Sequence, residues 1–247
     1  MVGASVDIVS DLPQTFVLWD VDHTLIENGG VSKETYSLAF ELLTGRPAVV
    51  LPATDGRTDF QIMRELLAAN SIDVESYVAI GQFEPFLLDA MARNAPDLPR
   101  KGYVLPGVLD ALTVLSNVPN VVQSVLTGNI APNALAKLAA FDLDRWVDLD
   151  VGGFGSDDIV RSNLVDAARR KVADKYGRKF DRTSTILVGD TLLDVKAAQD
   201  GGAKVIAVAT GVYTAAQLAE AGADVVLENI ADLDRFLNVL IGLRNKA

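Results

Sequence analysis

The chain has 247 residues, 49% of them hydrophobic, enough to bury a large core or a core domain with a smaller companion. A formal net charge of -11 argues against a nucleic-acid polymer or an anionic membrane surface as the main partner. The absence of cysteine excludes disulfides, thiolate metal sites and cysteine nucleophiles.

Residues 1–14 lack the basic-then-apolar order of a signal peptide and read as a loose leader. No apolar run is long enough to cross a membrane, so a soluble cytoplasmic protein is expected. The first strand is expected at 16–19, where Phe16, Val17, Leu18 and Trp19 make a continuous apolar run of the kind buried in a parallel sheet. Two carboxylates, Asp20 and Asp22, follow its C-terminal end, the end where ligands bind in open α/β sheets. Asn28-Gly29-Gly30 then breaks the chain and offers a hinge.

Residues 31–102 carry helical spacing and no clear strand. Tyr36, Phe40 and Leu43 form one apolar stripe, closed by Gly45-Arg46-Pro47. After a loop at 51–57, Thr58 and Gln61 have capping-box spacing ahead of a face made by Phe60, Ile62, Met63, Leu66 and Leu67. Asp73 is placed to cap a further helix running through Tyr77 towards Met91, and a Pro-rich stretch at 94–99 leads out. The block 29–102 therefore reads as an all-helical cap inserted, between flexible joints, into a core made of 1–28 and 103–247.

The alternation of strand and helix resumes after Pro106-Gly107. A helix is expected at 108–115, a strand at 121–126 ending in Thr127-Gly128-Asn129, and a helix at 132–140. A strand at 146–151 is closed by Gly152-Gly153, and helical spacing follows from Leu164 to Tyr176. A strand at 185–188 ends in Gly189-Asp190, then come a helix at 193–200, a strand at 204–209 and a capping box at Thr214 and Gln217. A short edge strand at 225–227 and a closing helix at 233–243 complete the chain. This order specifies an α/β fold with a doubly wound parallel sheet.

Three polar clusters thus close three expected strands: Asp20 with Asp22, Thr127 with Gly128, and Asp190 with Asp194. On one sheet edge they converge on a single site. Carboxylates crowded without a counter-charge repel one another, and a divalent cation resolves the repulsion. An oxygen-only donor set without His or Cys suits magnesium better than zinc. Thr127 and the backbone amides near Gly128 and Asn129 can cradle a phosphate beside a helix N-terminus.

On these residues the chain resembles the haloacid-dehalogenase-like superfamily. FVLWDVDHTL is similar to its first motif, VLTGN to its second and VGDTLLD to its fourth, with the insertion where the family's helical cap belongs. PGV at 106–108 and DGRTD at 55–59 look like the phosphoglycolate-phosphatase-like branch, with its helical C1-type cap. The resemblance implies a magnesium-dependent phosphoric monoester hydrolase acting on a small phosphorylated metabolite through an aspartyl-phosphate intermediate. It implies Asp20 as nucleophile and Asp22 as the acid that protonates the leaving alcohol and then activates water. It implies Thr127 on the transferred phosphoryl group, and a metal held by Asp20, the backbone carbonyl of Asp22 and Asp190, with Asp194 orienting metal-bound water. The third-motif lysine is missing; Arg161 stands at that point and Lys171 is the alternative, farther along its helix. His23, where the family commonly has glycine, receives no role. Arg57, in the loop ahead of Thr58, is the one fixed positive charge suited to an anionic substrate tail, against a surface pairing with Asp55 or Asp59. A phosphomutase of the beta-phosphoglucomutase-like kind and a non-catalytic phosphate- and metal-binding module are the alternatives. A dehalogenase is disfavoured because it lacks the second aspartate. The expected state is a monomer or homodimer.

Overall fold

In the computed structural model, which describes residue 9 and residues 12–245, the apolar run before the paired aspartates is the strand β1 (Thr15–Trp19), buried on both faces. β2 (Ile26–Glu27) leads into the cap helices α1 (Val31–Thr44), α2 (Asp59–Ala69), α3 (Glu84–Asn94) and α4 (Leu98–Lys101), and β3 (Tyr103–Val104) leads out. The core continues through α5 (Val108–Ser116), β4 (Val121–Thr127), α6 (Ala131–Ala139), β5 (Gly153–Phe154) and α7 (Asn163–Tyr176). It ends with β6 (Thr185–Gly189), α8 (Leu192–Asp200), β7 (Lys204–Val208), α9 (Ala215–Glu220), β8 (Val225–Leu227) and α10 (Leu233–Asn245).

The main sheet is parallel, in the order β5-β4-β1-β6-β7-β8. The chain leaves β1 for β4 on one side and later returns to β6 on the other, so β1 sits at the topological switch point, where a crevice opens. Period-two alternation divides β1 between two cores. Val17 and Trp19 pack on one face with helices α5 and α10, and Phe16 and Leu18 on the other with α7 and α8. Trp19 is fully buried, donates Nε1–H to Gln123 Oε1 at 3.2 Å and lies 5.5 Å from the Phe236 ring. Such a tethered indole combines the burial of a large apolar body with a satisfied polar tip. Both capping boxes read from the sequence, Thr58 with Gln61 and Thr214 with Gln217, are formed.

The cap has its own apolar core, in which Tyr36, Ala39 and Phe40 of α1 meet Phe60, Met63 and Leu67 of α2 and Leu87 of α3. Its two joints, one on either side of the cap, lie side by side. Ile26 pairs with Val104 and Glu27 with Tyr103 in a small antiparallel ladder. Gly29, at φ +62°, lies so close to the second joint that a Cβ there would stand 2.3 Å from the Lys101 carbonyl oxygen. Each joint is strapped to the other because the chain must enter and leave the cap at one point.

Two expected elements are corrected. In place of the strand expected at 146–151 there are two short 3-10 turns, Asp144–Trp146 and Leu149–Val151, and the edge strand is Gly153–Phe154. The Asp148 carboxylate accepts from the Asp150 N–H at 3.1 Å and turns the chain back, a local bond that overrides the strand preference of the apolar residues. Asp73 likewise closes a turn, accepting from Glu75 N–H at 3.0 Å, and the next cap α-helix begins only at Glu84, with a proline in its first turn. The loose leader falls mostly outside the described residues, 1–8, 10 and 11 among them; of the rest, Val9 and Leu12 are buried in the core. Among the described residues no helix is long and apolar enough to cross a membrane.

Candidate active site

Because β4, β1 and β6 are adjacent, Thr127, Asp20 and Asp190 leave the sheet side by side. Trp19 is aligned with Val125 on one neighbour and Val188 on the other, and the Asp20 N–H donates to the Val188 carbonyl at 2.8 Å. Asp194 joins them from the first turn of α8, where Thr191 and Asp194 cap each other. Asp20, Asp190 and Asp194 are all buried, and each presents an oxygen within 4.8 Å of the others. Asp190 Oδ1 accepts from Thr24 Oγ1 at 3.1 Å, while its Oδ2 is buried with no hydrogen-bond partner in the described structure. A buried carboxylate oxygen left unpaired, in a set of oxygen donors, fits a hard divalent cation.

Arg161, in the turn before α7, reaches this group. Its Nη2 lies 2.9 Å from Asp20 Oδ1 and 2.6 Å from Asp194 Oδ1, and its Nε donates to the same Asp194 oxygen at 3.1 Å. Lys171 lies elsewhere, on Asp157 at 2.6 Å and on the Gly152 carbonyl at 2.8 Å. Burial pushes the Asp20 carboxyl up to about 7, with Asp194 and Asp22 adding to the rise and Arg161 opposing it. Asp190 is raised well above the usual carboxylate range, first by burial and then by the charges of Asp20 and Asp194.

Asp22 faces a different environment. Burial alone would raise its carboxyl, but the Lys137 ammonium, 2.6 Å from Oδ2, and the Asn28 amide, 2.8 Å from Oδ1, hold it below the ordinary value. The hydroxyl of Ser32, in the first turn of α1, also donates to Oδ1, at 3.2 Å. Lys137 was not singled out in the sequence, although a signal was there. It shares the buried face of α6 with Asn133, Ala134 and Leu138, and a lysine among buried residues demands an acidic partner.

The remaining expected residues surround a cavity over Asp20. Thr127 is buried, and its hydroxyl accepts from the Asn129 N–H at 3.3 Å. Gly128, Asn129 and Arg57 also line the cavity. The Arg57 guanidinium is paired with Glu65 at 3.0 Å, and neither Asp55 nor Asp59 supplies that carboxylate. His23 sits at φ +59°, the left-handed region that favours glycine, and its Nδ1 lies 2.8 Å from Glu27 Oε2. Tyr36 of α1 closes the cavity from the cap side.

The model of the haloacid dehalogenase-like hydrolases matches residues 17–199, most of the chain. The chain belongs to this family. The match spans the central strand, the cap and both carboxylate-bearing strand ends. The probable phosphatase IndB of Dickeya dadantii (strain 3937) is 25% identical over 229 residues, covering 92% of this chain and 95% of that one. A predicted phosphatase from Clostridium acetobutylicum superposes with a TM-score of 0.64 at 15% identity, covering 92% of this chain and 99% of its own. A hydrolase from Pseudomonas syringae gives a TM-score of 0.61 at 22% identity, covering 92% and 98%. These structures share the fold.

The carboxylate group makes the stability of the metal-free protein depend on pH. Folding raises Asp20 to about 7, from an ordinary value of 3.8, and raises Asp190 in the same direction. Between these limits the folded protein holds protons that the unfolded chain has released, so stability falls as pH rises from about 4 to 7. Asp22, whose value is lowered, acts oppositely, but its window lies below that range. Chelated protein is expected to lose a few kcal/mol between pH 5 and 7.5, roughly 5–10 °C in Tm for a chain of this length. A divalent cation should raise Tm more at pH 7.5 than at pH 5. Calorimetry with chelator and with magnesium checks this, and a metal-induced rise that is equal at both pH values would contradict it.

Proposed function

We propose that this protein is a magnesium-dependent phosphatase of small phosphomonoesters, of the phosphoglycolate-phosphatase-like kind. The observation that carries the reading is the convergence of Asp20, Asp190, Asp194 and Arg161 beside the Thr127 loop, one anionic and one cationic half of a phosphoryl-transfer site. Asp20, the backbone carbonyl of Asp22 and Asp190 would hold the metal, with Asp194 acting through its neighbours. A magnesium ion there supplies charge that offsets the crowded carboxylates and the phosphate oxygens.

Asp20 attacks phosphorus in line, forming an Asp20–phosphorus bond as the bond to the leaving oxygen breaks. Asp22 delivers a proton to that oxygen, then takes one from the water that cleaves the acyl phosphate and frees Asp20. Lys137 beside Asp22 favours the ionised carboxylate; this suits the base half of the cycle and opposes the acid half, whose proton is the one taken from water in the preceding turnover. Thr127, the amides of Gly128 and Asn129, and the Arg161 guanidinium hold the phosphoryl oxygens. The cap, seated over the cavity, excludes bulk water from the intermediate. Arg57 at the cavity wall would meet an anionic substrate tail after leaving Glu65. The alternative, a phosphomutase, would need the cap to seat a second phosphate, and Arg57 is the cap cation at the cavity wall. A cytoplasmic monomer or homodimer with a small phosphorylated metabolite as its partner agrees with this reading.

A phosphate-release screen over many esters, with magnesium and with chelator, tests it. Metal-dependent release from at least one ester is expected. Phosphate and metal binding without turnover of any ester would favour the non-catalytic module.

A further inference from the structure

One buried carboxylate plays no part in the chemistry above. Asp59, the first residue of α2, is 1% exposed, yet it lies in the cap at the boundary with the core. Its Oδ1 accepts from the Tyr36 hydroxyl at 2.6 Å, within the cap. Its Oδ2 accepts from the backbone N–H of Ile130 in the core at 2.8 Å. Its own backbone N–H donates to the Gly128 carbonyl at 2.8 Å, so the residue is bonded to the core twice.

The two chain segments fit closely. A Cβ on Gly128 would stand 2.0 Å from the Arg57 carbonyl oxygen, which leaves only glycine at that point. Thr58 Oγ1 donates to the Ile159 carbonyl at 3.2 Å, and the Ile130 side chain is buried in the apolar core of the cap. Ile130 follows directly on Thr127-Gly128-Asn129 and precedes α6, so its N–H belongs to the segment that cradles phosphate. A carboxylate is taken out of water at a large cost unless it is fully hydrogen-bonded. Asp59 meets that condition only while the cap rests on the loop, because one of its two side-chain donors is across the boundary.

We propose that Asp59 is a positioning residue that clamps the closed cap onto residues 128–130 and so fixes the phosphate-binding loop for the reaction. Its kinetic part rests on the phosphatase reading; its structural part does not.

The lack of cysteine allows a clean distance measurement. Val49→Cys on the cap, at a position 90% exposed, and Leu109→Cys on the core can carry a pair of spin labels. The parent should give one narrow distance distribution. Asp59→Ala should broaden it towards longer distances and lower kcat on the best ester about 10- to 100-fold, with KM changed much less, as expected for a misplaced loop. Asp59→Asn should restore both readouts, since its carbonyl can accept from Ile130 and its amide can donate to the Tyr36 oxygen. A residue that merely stabilised α2 would lower Tm in both variants and leave the distance unchanged. An unchanged distance distribution in Asp59→Ala overturns the clamp whether or not the chain hydrolyses esters. A shifted distribution in a protein that turns over no ester sustains the clamp and removes the phosphatase reading. If Asp59→Ala does not fold, amide exchange in the parent decides. The Asp59 and Ile130 amides should then exchange at one shared rate, faster than the Leu187 amide in the central sheet. Exchange of all three at the rate of global unfolding would overturn the clamp.

Discussion

Asp20→Asn is expected to abolish turnover while leaving the fold intact. The amide is close to the carboxylate in size and shape, and its oxygen can still accept from Arg161, whose Nη2 lies 2.9 Å from Asp20 Oδ1. What it lacks is the negative charge and nucleophilicity needed to bond to phosphorus. Loss of a covalent nucleophile costs roughly 10⁴-fold or more in kcat, since the remaining contacts bind the phosphate without opening a second route. The effect on stability should run the other way. Burial already pushes the Asp20 carboxyl up to about 7 without metal, and repulsion from Asp194 and Asp22 adds to the rise. A neutral isostere removes that repulsion, so metal-free Asp20→Asn at pH 8 should melt no lower than the parent. Phosphate release on the best ester and melting curves with and without magnesium check both halves. Turnover within tenfold of the parent, in protein shown by mass to retain the asparagine, would take Asp20 out of the nucleophile's place.

Much of this site was legible because its residues are local to strand ends. An apolar run followed at once by Asp20 and Asp22, or by Asp190, is visible in a single window of sequence, and the parallel order of β4, β1 and β6 then brings the windows together. Arg161 could be singled out by position alone, and the structure sets it against Asp20 and Asp194. The contacts that escaped notice act across the sequence. Lys137 meets Asp22 over a separation of 115 residues, and Asp59 meets Ile130 over 71. Neither pairing leaves a periodic trace; only the polarity of one helical position expected to be buried hints at it. The misread strand at 146–151 has the opposite cause. There the apolar pattern was plain, and a single Asp148 side chain, bonded to the Asp150 amide, outweighed it. The strapping of the cap joints depends on Tyr103 and Val104 pairing back onto β2, a two-residue ladder too short to carry a strand signature.

Arg161→Ala should be the most damaging change outside the carboxylates. The guanidinium is 7% exposed and is the cation placed between Asp20 and Asp194, gripping one by Nη2 and the other by Nη2 and Nε. The surrounding carboxylates hold its pKa above the ordinary arginine value despite burial, so it is charged at every working pH. Removing it should act twice. In the resting protein it leaves buried carboxylates without a partner, which costs about 3–5 kcal/mol when one member of a buried ion pair is deleted. In the reaction it removes a preorganised cation from the developing charge on the phosphoryl group, worth about 2–4 kcal/mol, or roughly 30- to 1,000-fold in kcat/KM. Magnesium should restore part of the first loss, because a second cation can sit among the same oxygens, but not the second. Arg161→Lys separates charge from shape. It keeps a cation but loses the fork that contacts two carboxylates at once, so it should recover most of the stability and only part of the rate. Lys171→Ala is the control: that ammonium is spent on Asp157 and the Gly152 carbonyl, and its loss should change kcat/KM less than threefold, about 0.7 kcal/mol. Melting curves and kcat/KM for the three variants, at saturating magnesium and in chelator, discriminate the roles. A Lys171→Ala protein as impaired as Arg161→Ala would move the cation of the phosphoryl site from the Arg161 turn to α7.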